Sequence, residues 1–168
     1  SMAGQYHAVR SQENEDSIIK FENDSIMVVA VSDGCSESAG AKAASQASCE
    51  ASVKFAKTRD VWSTDDNTLK SAFLSVIDDV YMDTKLPYNL LKATLLLLVV
   101  SKITGDYVGI SIGDCSALVL DENLNKPEVL LKPYNQFMQA TRTVFANNKD
   151  ADALMAIVRG RVQDKAGF

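Results

Sequence analysis

The sequence predicts an α+β fold built on antiparallel sheet, and three observations carry that expectation. Strand and helix patterns are segregated along the chain rather than alternating, which disfavours a parallel, doubly wound sheet. Short apolar stretches are joined by turn residues at hairpin spacing. Neither phosphate-cradling glycine motif, G-x-x-x-x-G-K-S/T or G-x-G-x-x-G, occurs. A length of 168 residues suits one domain, and no repeat, low-complexity tract or Pro/Gly-rich linker divides it. Residues 1–168 are therefore read as a single domain, with Ser1 resembling a tag-cleavage remnant ahead of Met2.

The first strand is expected over Ser17 to Phe21 and the second over Ser25 to Ser32, with Glu22-Asn23-Asp24 as the turn of a hairpin. A helix follows over Ser38 to Lys57. Gly40, Ala44, Ala47, Ala51 and Phe55 share one of its faces, and their small size lets the backbone lie close to what it covers. Ser36 and Ser38 are placed to cap that helix. A second helix starts near Ser63 or Thr64, where Ser63 and Asp66 resemble a capping box. It repeats Leu69, Phe73, Val76 and Val80 on one face and stops before Pro87. Strands over 93–103, 107–112 and 116–120, separated by Thr104-Gly105-Asp106 and Gly113-Asp114-Cys115, suggest an antiparallel meander. A third helix is expected from about Asp150 to Gln163, with Leu154, Ile157, Val158 and Val162 on one side.

Charge and cysteine usage exclude several classes. Lys plus Arg number 17 against 22 Asp plus Glu, a formal charge of −5, so a broadly nucleic-acid-binding surface is not expected. Cys35, Cys49 and Cys115 are sparse and odd in number, with no C-x-x-C. That argues against a disulfide framework or thiolate zinc site and makes a reducing, cytoplasmic setting the default. The longest apolar run, residues 95–100, is far shorter than the roughly 20 residues that span a bilayer, so no membrane partner is expected. It reads as a strand buried on both faces.

The acidic residues at strand ends stand out. Asn14-Glu15-Asp16 precedes the first hairpin strand and Asp33-Gly34 follows the second, so antiparallel pairing brings Asp16 and Asp33 to one end of the sheet. Asp114 sits at another strand-to-turn junction. Two like charges about 4 Å apart repel by roughly 4 kcal/mol at an effective dielectric near 20. A divalent cation with oxygen ligands offsets that repulsion, and a glycine at 34 lets the main chain approach the ion. The same residues also make ordinary turns, since Asp before Gly often closes a strand.

These stretches are also where the sequence resembles the metal-dependent Ser/Thr protein phosphatases of type 2C, in particular their bacterial branch. The matching segments are Gly4-Gln5-Tyr6-His7, Asn14-Glu15-Asp16-Ser17, Val31-Ser32-Asp33-Gly34-Cys35-Ser36 with Ser38-Ala39-Gly40-Ala41, Ala93-Thr94-Leu95, and Gly113-Asp114-Cys115-Ser116. They occur in the family's order over roughly residues 4 to 120. The resemblance implies a four-layer αββα sandwich, two antiparallel sheets flanked by helices. It also implies a centre of two or more Mn²⁺ or Mg²⁺ ions at one end of the sandwich. By motif match Asp33 resembles the bridging metal ligand and Gly34 the carbonyl ligand. Glu15 and Asp16 would hold metal largely through water, and Asp114 matches a position tied to an additional ion. A water activated between the ions would attack phosphorus in line, with no covalent intermediate.

Two departures from the pattern follow. Where many members have an Arg that grips the substrate phosphate, the aligned residue is His7, the chain's only histidine, with Arg10 nearby. Arg offers a bidentate fork and His a proton for the leaving group, while a lone His is equally an ordinary hydrogen-bonded residue. The family's two late metal aspartates have no counterpart here: Asp150, Asp152 and Asp164 fall in a helical pattern, and the ending resembles the approach to a final strand without that strand. The function expected from the resemblance is metal-dependent hydrolysis of phosphoserine and phosphothreonine in a protein substrate. The alternative is a catalytically impaired phosphatase-like domain acting as a binding or regulatory module.

Overall fold

The computed structural model describes residues 14–35, 38–87, 90–119, 128–131 and 155–162. Five strands form the principal sheet: β1 (Ser17–Glu22), β2 (Ile26–Ser32), β3 (Leu95–Ser101), β4 (Asp106–Ile112) and β7 (Met155–Arg161). They lie in the spatial order β1-β2-β3-β4-β7, every neighbour antiparallel. Two further strands, β5 (Ala117–Val119) and β6 (Glu128–Leu131), make a separate hairpin. The fold is α+β, as the segregated patterning predicts.

Alternation decides what each face covers. Leu95, Leu97 and Val99 of β3 point to one side with Val28 of β2 and Val108, Ile110 and Ile112 of β4, all essentially buried. Helices α1 (Ala41–Thr58) and α2 (Asp66–Thr84) cover that side. Ala44, Ala47, Ala51 and Phe55 of α1 meet Leu69, Phe73 and Val76 of α2 in one core, on the faces the helical spacing predicts. The Phe55 and Phe73 rings pack edge-to-face, their centroids 5.0 Å apart, which adds about 1 kcal/mol beyond area burial. The opposite face gathers Val100 and Tyr107 with Ala117 of β5, flanked by Met27, Leu96, Leu98 and Val158. The apolar run 95–100 thus serves both faces from the central strand. Among the described residues no helix covers the β5–β6 side, so the fourth layer of the expected sandwich is not seen there.

Four local expectations are corrected. The segment expected as a third helix is a strand: Met155–Arg161 pairs with β4 from Ile112↔Met155 to Asp106↔Arg161. Its apolar spacing fits a helix, but Ile157 and Val158 are β-branched, Gly160 weakens a helix, and an open edge of β4 offers seven pairings. The meander breaks after β4, because Gly113 adopts φ 104° and turns the chain into the second sheet. The N-cap of α2 is Asp65, whose carboxylate accepts from the amides of Asn67 and Thr68 at 3.1 Å each. Ser63 instead donates to Asp60. Finally, α1 begins after Gly40 with no side-chain cap; the Ser38 hydroxyl donates across to the Leu90 carbonyl, and Ser36 lies outside the described residues.

One arginine ties the far edge to the helices. Arg159 of β7 donates to Asp66 at 2.8 Å and to the carbonyls of Val61 and Thr64 at 2.8 and 2.7 Å. The loop between α1 and α2 is thereby fastened to the sheet.

Candidate metal centre

The strand order places three acidic segments at one end of the sheet. The β1–β2 ladder closes on the pair Ser17↔Ser32, so Asp16 and Asp33 stand one residue beyond it. The β3–β4 ladder closes at the same end on Leu95↔Ile112, and Asp114 follows two residues later. Asp33 is exposed at the surface, yet its carboxyl group titrates above the ordinary carboxylate range. Packing of the carboxyl against protein atoms is the first cause. Next comes the Asp16 carboxyl within hydrogen-bonding reach, then the negative charges of Asp16, Asp114 and Glu15. Asp16, Asp114 and Glu15 therefore all act on Asp33, and the hairpin argument anticipated the nearness of Asp16 and Asp33.

Backbone hydrogen bonds fix Asp33. Its amide donates to Thr94 Oγ1 at 3.2 Å and its carbonyl accepts from the Thr94 amide at 2.9 Å. Thr94 is itself buried; its carbonyl accepts from Ser32 Oγ at 2.5 Å, and its hydroxyl accepts from Cys115 Sγ at 3.3 Å. Gly34 then forms an isolated bridge to Ala93, and the Cys35 amide donates to Lys92 at 2.9 Å. Gly34 is buried where a Cβ would stand 2.7 Å from both the Glu15 and Ala41 carbonyl oxygens. No side chain fits between those two backbones, which explains glycine at 34 without appeal to a turn.

The donor chemistry suits a hard cation. The candidate metal-holding groups are all oxygen donors, and the half-buried Glu15 has one carboxylate oxygen, Oε2, buried without a hydrogen-bond partner among the described residues. A buried carboxylate oxygen left bare is costly, and a cation or its water is a natural partner. Among the described residues, no three His, Cys, Asp or Glu side chains stand close enough to enclose an ion by themselves. His7 and Arg10 lie outside the described residues, as do Asp150, Asp152 and Asp164. Cys35 and Cys115 are partly buried beside the cluster and Cys49 is buried, its thiol pushed up to about 12, chiefly by burial. None of the three forms a disulfide. No helix among the described residues is long and apolar enough to cross a membrane.

Sequence reasoning did not identify Thr94 as the group that anchors Asp33, nor any role for Ser45 or Lys42 of α1. The hydroxyl of Ser45 donates to the Glu15 carbonyl, and Lys42 Nζ donates to the Asn14 carbonyl at 2.6 Å. A serine buried within a stripe of alanines was the available signal.

An antiparallel sheet backed by two packed helices thus carries acidic residues from three segments at one end. The chain matches the Protein phosphatase 2C family over residues 3–168 and belongs to that family. No curated protein matches it by sequence. Among solved structures it is similar to RsbX in complex with magnesium, at 15% identity and TM-score 0.58, covering 90% of this chain and 62% of RsbX. It is likewise similar to the serine/threonine phosphatase Stp1 from Staphylococcus aureus, at 13% identity and TM-score 0.58, covering 88% of this chain and 66% of Stp1. A chain holding the PP2C phosphatase domain and a fragment of the regulatory domain of SpoIIE from Bacillus subtilis shares 11% identity and TM-score 0.56, covering 89% of this chain and 38% of that one. The chain thus spans less than two thirds of the length of each.

Proposed function

We propose that the protein hydrolyses phosphoserine and phosphothreonine in protein substrates in a Mn²⁺- or Mg²⁺-dependent reaction, and that it works in the cytoplasm. The observation that supports this reading is the convergence of Glu15, Asp16, Asp33 and Asp114 around the crowded Asp33 carboxyl. Membership of the phosphatase family and the magnesium in the RsbX structure support it further.

In this reading Asp33 and the Gly34 carbonyl, with Glu15, Asp16 and Asp114, would hold two or more cations. The bound cations would supply the lowered pKa of an attacking water and the positive charge facing a phosphoryl oxygen. The chain supplies position. Thr94 holds the Asp33 backbone from both its amide and its carbonyl. Gly34 leaves the Glu15 carbonyl free to pack against it. His7 or Arg10 takes the substrate phosphate, Arg as a bidentate donor or His as a proton donor to the leaving oxygen.

A second reading is a phosphatase-like binding or regulatory module with weak catalysis or none. The absence of any three-carboxylate enclosure among the described residues favours it. Phosphate release from a phosphoserine peptide separates the two. The enzymatic reading expects turnover that requires Mn²⁺ or Mg²⁺, stops on chelation and is lost in Asp33→Asn. No turnover at saturating Mn²⁺ favours the module, and turnover that persists without metal contradicts the metal-dependent reading.

A further inference from the structure

The face of α1 that meets the acidic segment carries a row of donors matched to its carbonyls. Lys42 Nζ donates to Asn14 O at 2.6 Å, Ser45 Oγ donates to Glu15 O, and Cys49 Sγ donates to Ser17 O at 3.5 Å. Positions 42, 45 and 49 are spaced i, i+3 and i+7, one stripe of a helix. Seven residues of helix rise about 10.5 Å, and three residues of extended chain cover about 10 Å. Helix and segment therefore run side by side, the donors meeting the carbonyls of residues 14, 15 and 17 in order. Ser45 is fully buried and central: its hydroxyl reaches Glu15 O and, at 3.0 Å, Lys42 O of its own helix, and it shares a further hydrogen bond with the Ser17 hydroxyl 3.2 Å away. The Glu15 carbonyl it grips is the one packed against Gly34.

Resting on the function proposed above, we propose that Ser45 is a positioning residue for the cation centre, with Lys42 and Cys49 as outer supports. Through the Glu15 carbonyl it sets where the Glu15 and Asp16 side chains stand relative to Asp33. Ser48 and Ser52, on the same helix and equally buried, are built-in controls. Their hydroxyls bond back one turn to Ala44 O at 2.7 Å and Ser48 O at 2.8 Å, whereas the Ser45 hydroxyl also reaches across to Glu15 O.

Calorimetric titration of the 168-residue chain with MnCl₂ tests the role. Ser45→Ala is expected to raise the Mn²⁺ dissociation constant roughly tenfold or more, as loss of outer-shell support does elsewhere, whereas Ser48→Ala and Ser52→Ala stay within about twofold of wild type. Should Ser45→Ala not fold, Lys42→Met, at an exposed position, carries the comparison with an expected severalfold loss. Wild-type affinity in the folded variant overturns the proposal. So do equal losses in Ser45→Ala and Ser48→Ala, which mark general damage to the helix. A wild-type chain that takes up no Mn²⁺ overturns the proposed function itself, and the positioning role with it.

Discussion

Asp16 and Asp33 stand side by side one residue past the Ser17↔Ser32 pair, close enough for the Asp16 carboxyl to raise the pKa of Asp33. In the absence of a cation this neighbourhood opposes folding. Asp33→Asn is therefore expected to raise the melting temperature of the metal-free protein by a few degrees. Asp33 is exposed, so water screens the repulsion and the gain is about 1 kcal/mol or less. The same variant should lose the further rise that Mn²⁺ gives the wild type. Thermal scans with and without EDTA read both effects; a destabilised metal-free Asp33→Asn protein would contradict the first.

Arg159 offers a test of the correction at the chain's far edge. Its guanidinium serves Asp66 and the loop carbonyls of Val61 and Thr64 from a strand, not from a helix. Arg159→Ala should lower the urea midpoint, at a cost of about 2 kcal/mol, because charged hydrogen bonds to a partly buried loop are lost. Arg159→Lys should recover little, since a single ammonium cannot span the same acceptors.

Ser111 lies in β4, fully buried, with a hydroxyl that has no hydrogen-bond partner among the described residues. An unsatisfied buried hydroxyl costs about 1–3 kcal/mol. Ser111→Ala is accordingly expected to stabilise the protein by about 1 kcal/mol in chemical denaturation. Destabilisation there would show that the hydroxyl has a partner after all.

Glu22 titrates at about 2, below its ordinary 4.5, chiefly through hydrogen bonds from Lys102 and Lys20. A depressed carboxylate pKa adds stability above the unfolded value, and that stability drains away as pH falls through the folded one. Its contribution is thus complete above pH 4.5 and lost towards pH 2. Side-chain carbon NMR should find the low midpoint, and Lys102→Met should return it towards 4.5.

The parts of the fold that alternate or repeat cleanly were legible in the sequence. The 17–32 hairpin needed only period-two burial and a turn. Phe55 and Phe73 fell on the faces their helical spacing assigned. Met155–Arg161 was not legible, because a short β-branched stretch satisfies both periods and only the open edge of β4 decides between them. Asp16 and Asp33 were brought together by antiparallel geometry alone. Asp114 needed the turn at Gly113, and Ser45 needed the packing of α1 against β1; neither contact is local in sequence.

Paramagnetic broadening by Mn²⁺ tests the central claim most directly. In a ¹H–¹⁵N spectrum of the labelled protein, substoichiometric Mn²⁺ should erase the amide signals of Glu15, Asp16, Asp33, Gly34 and Asp114 first, and spare the Asp106–Arg161 end of the sheet. Signals at those five positions that persist while others vanish, or a spectrum that Mn²⁺ leaves unchanged, would contradict a cation centre at the ends of β1, β2 and β4.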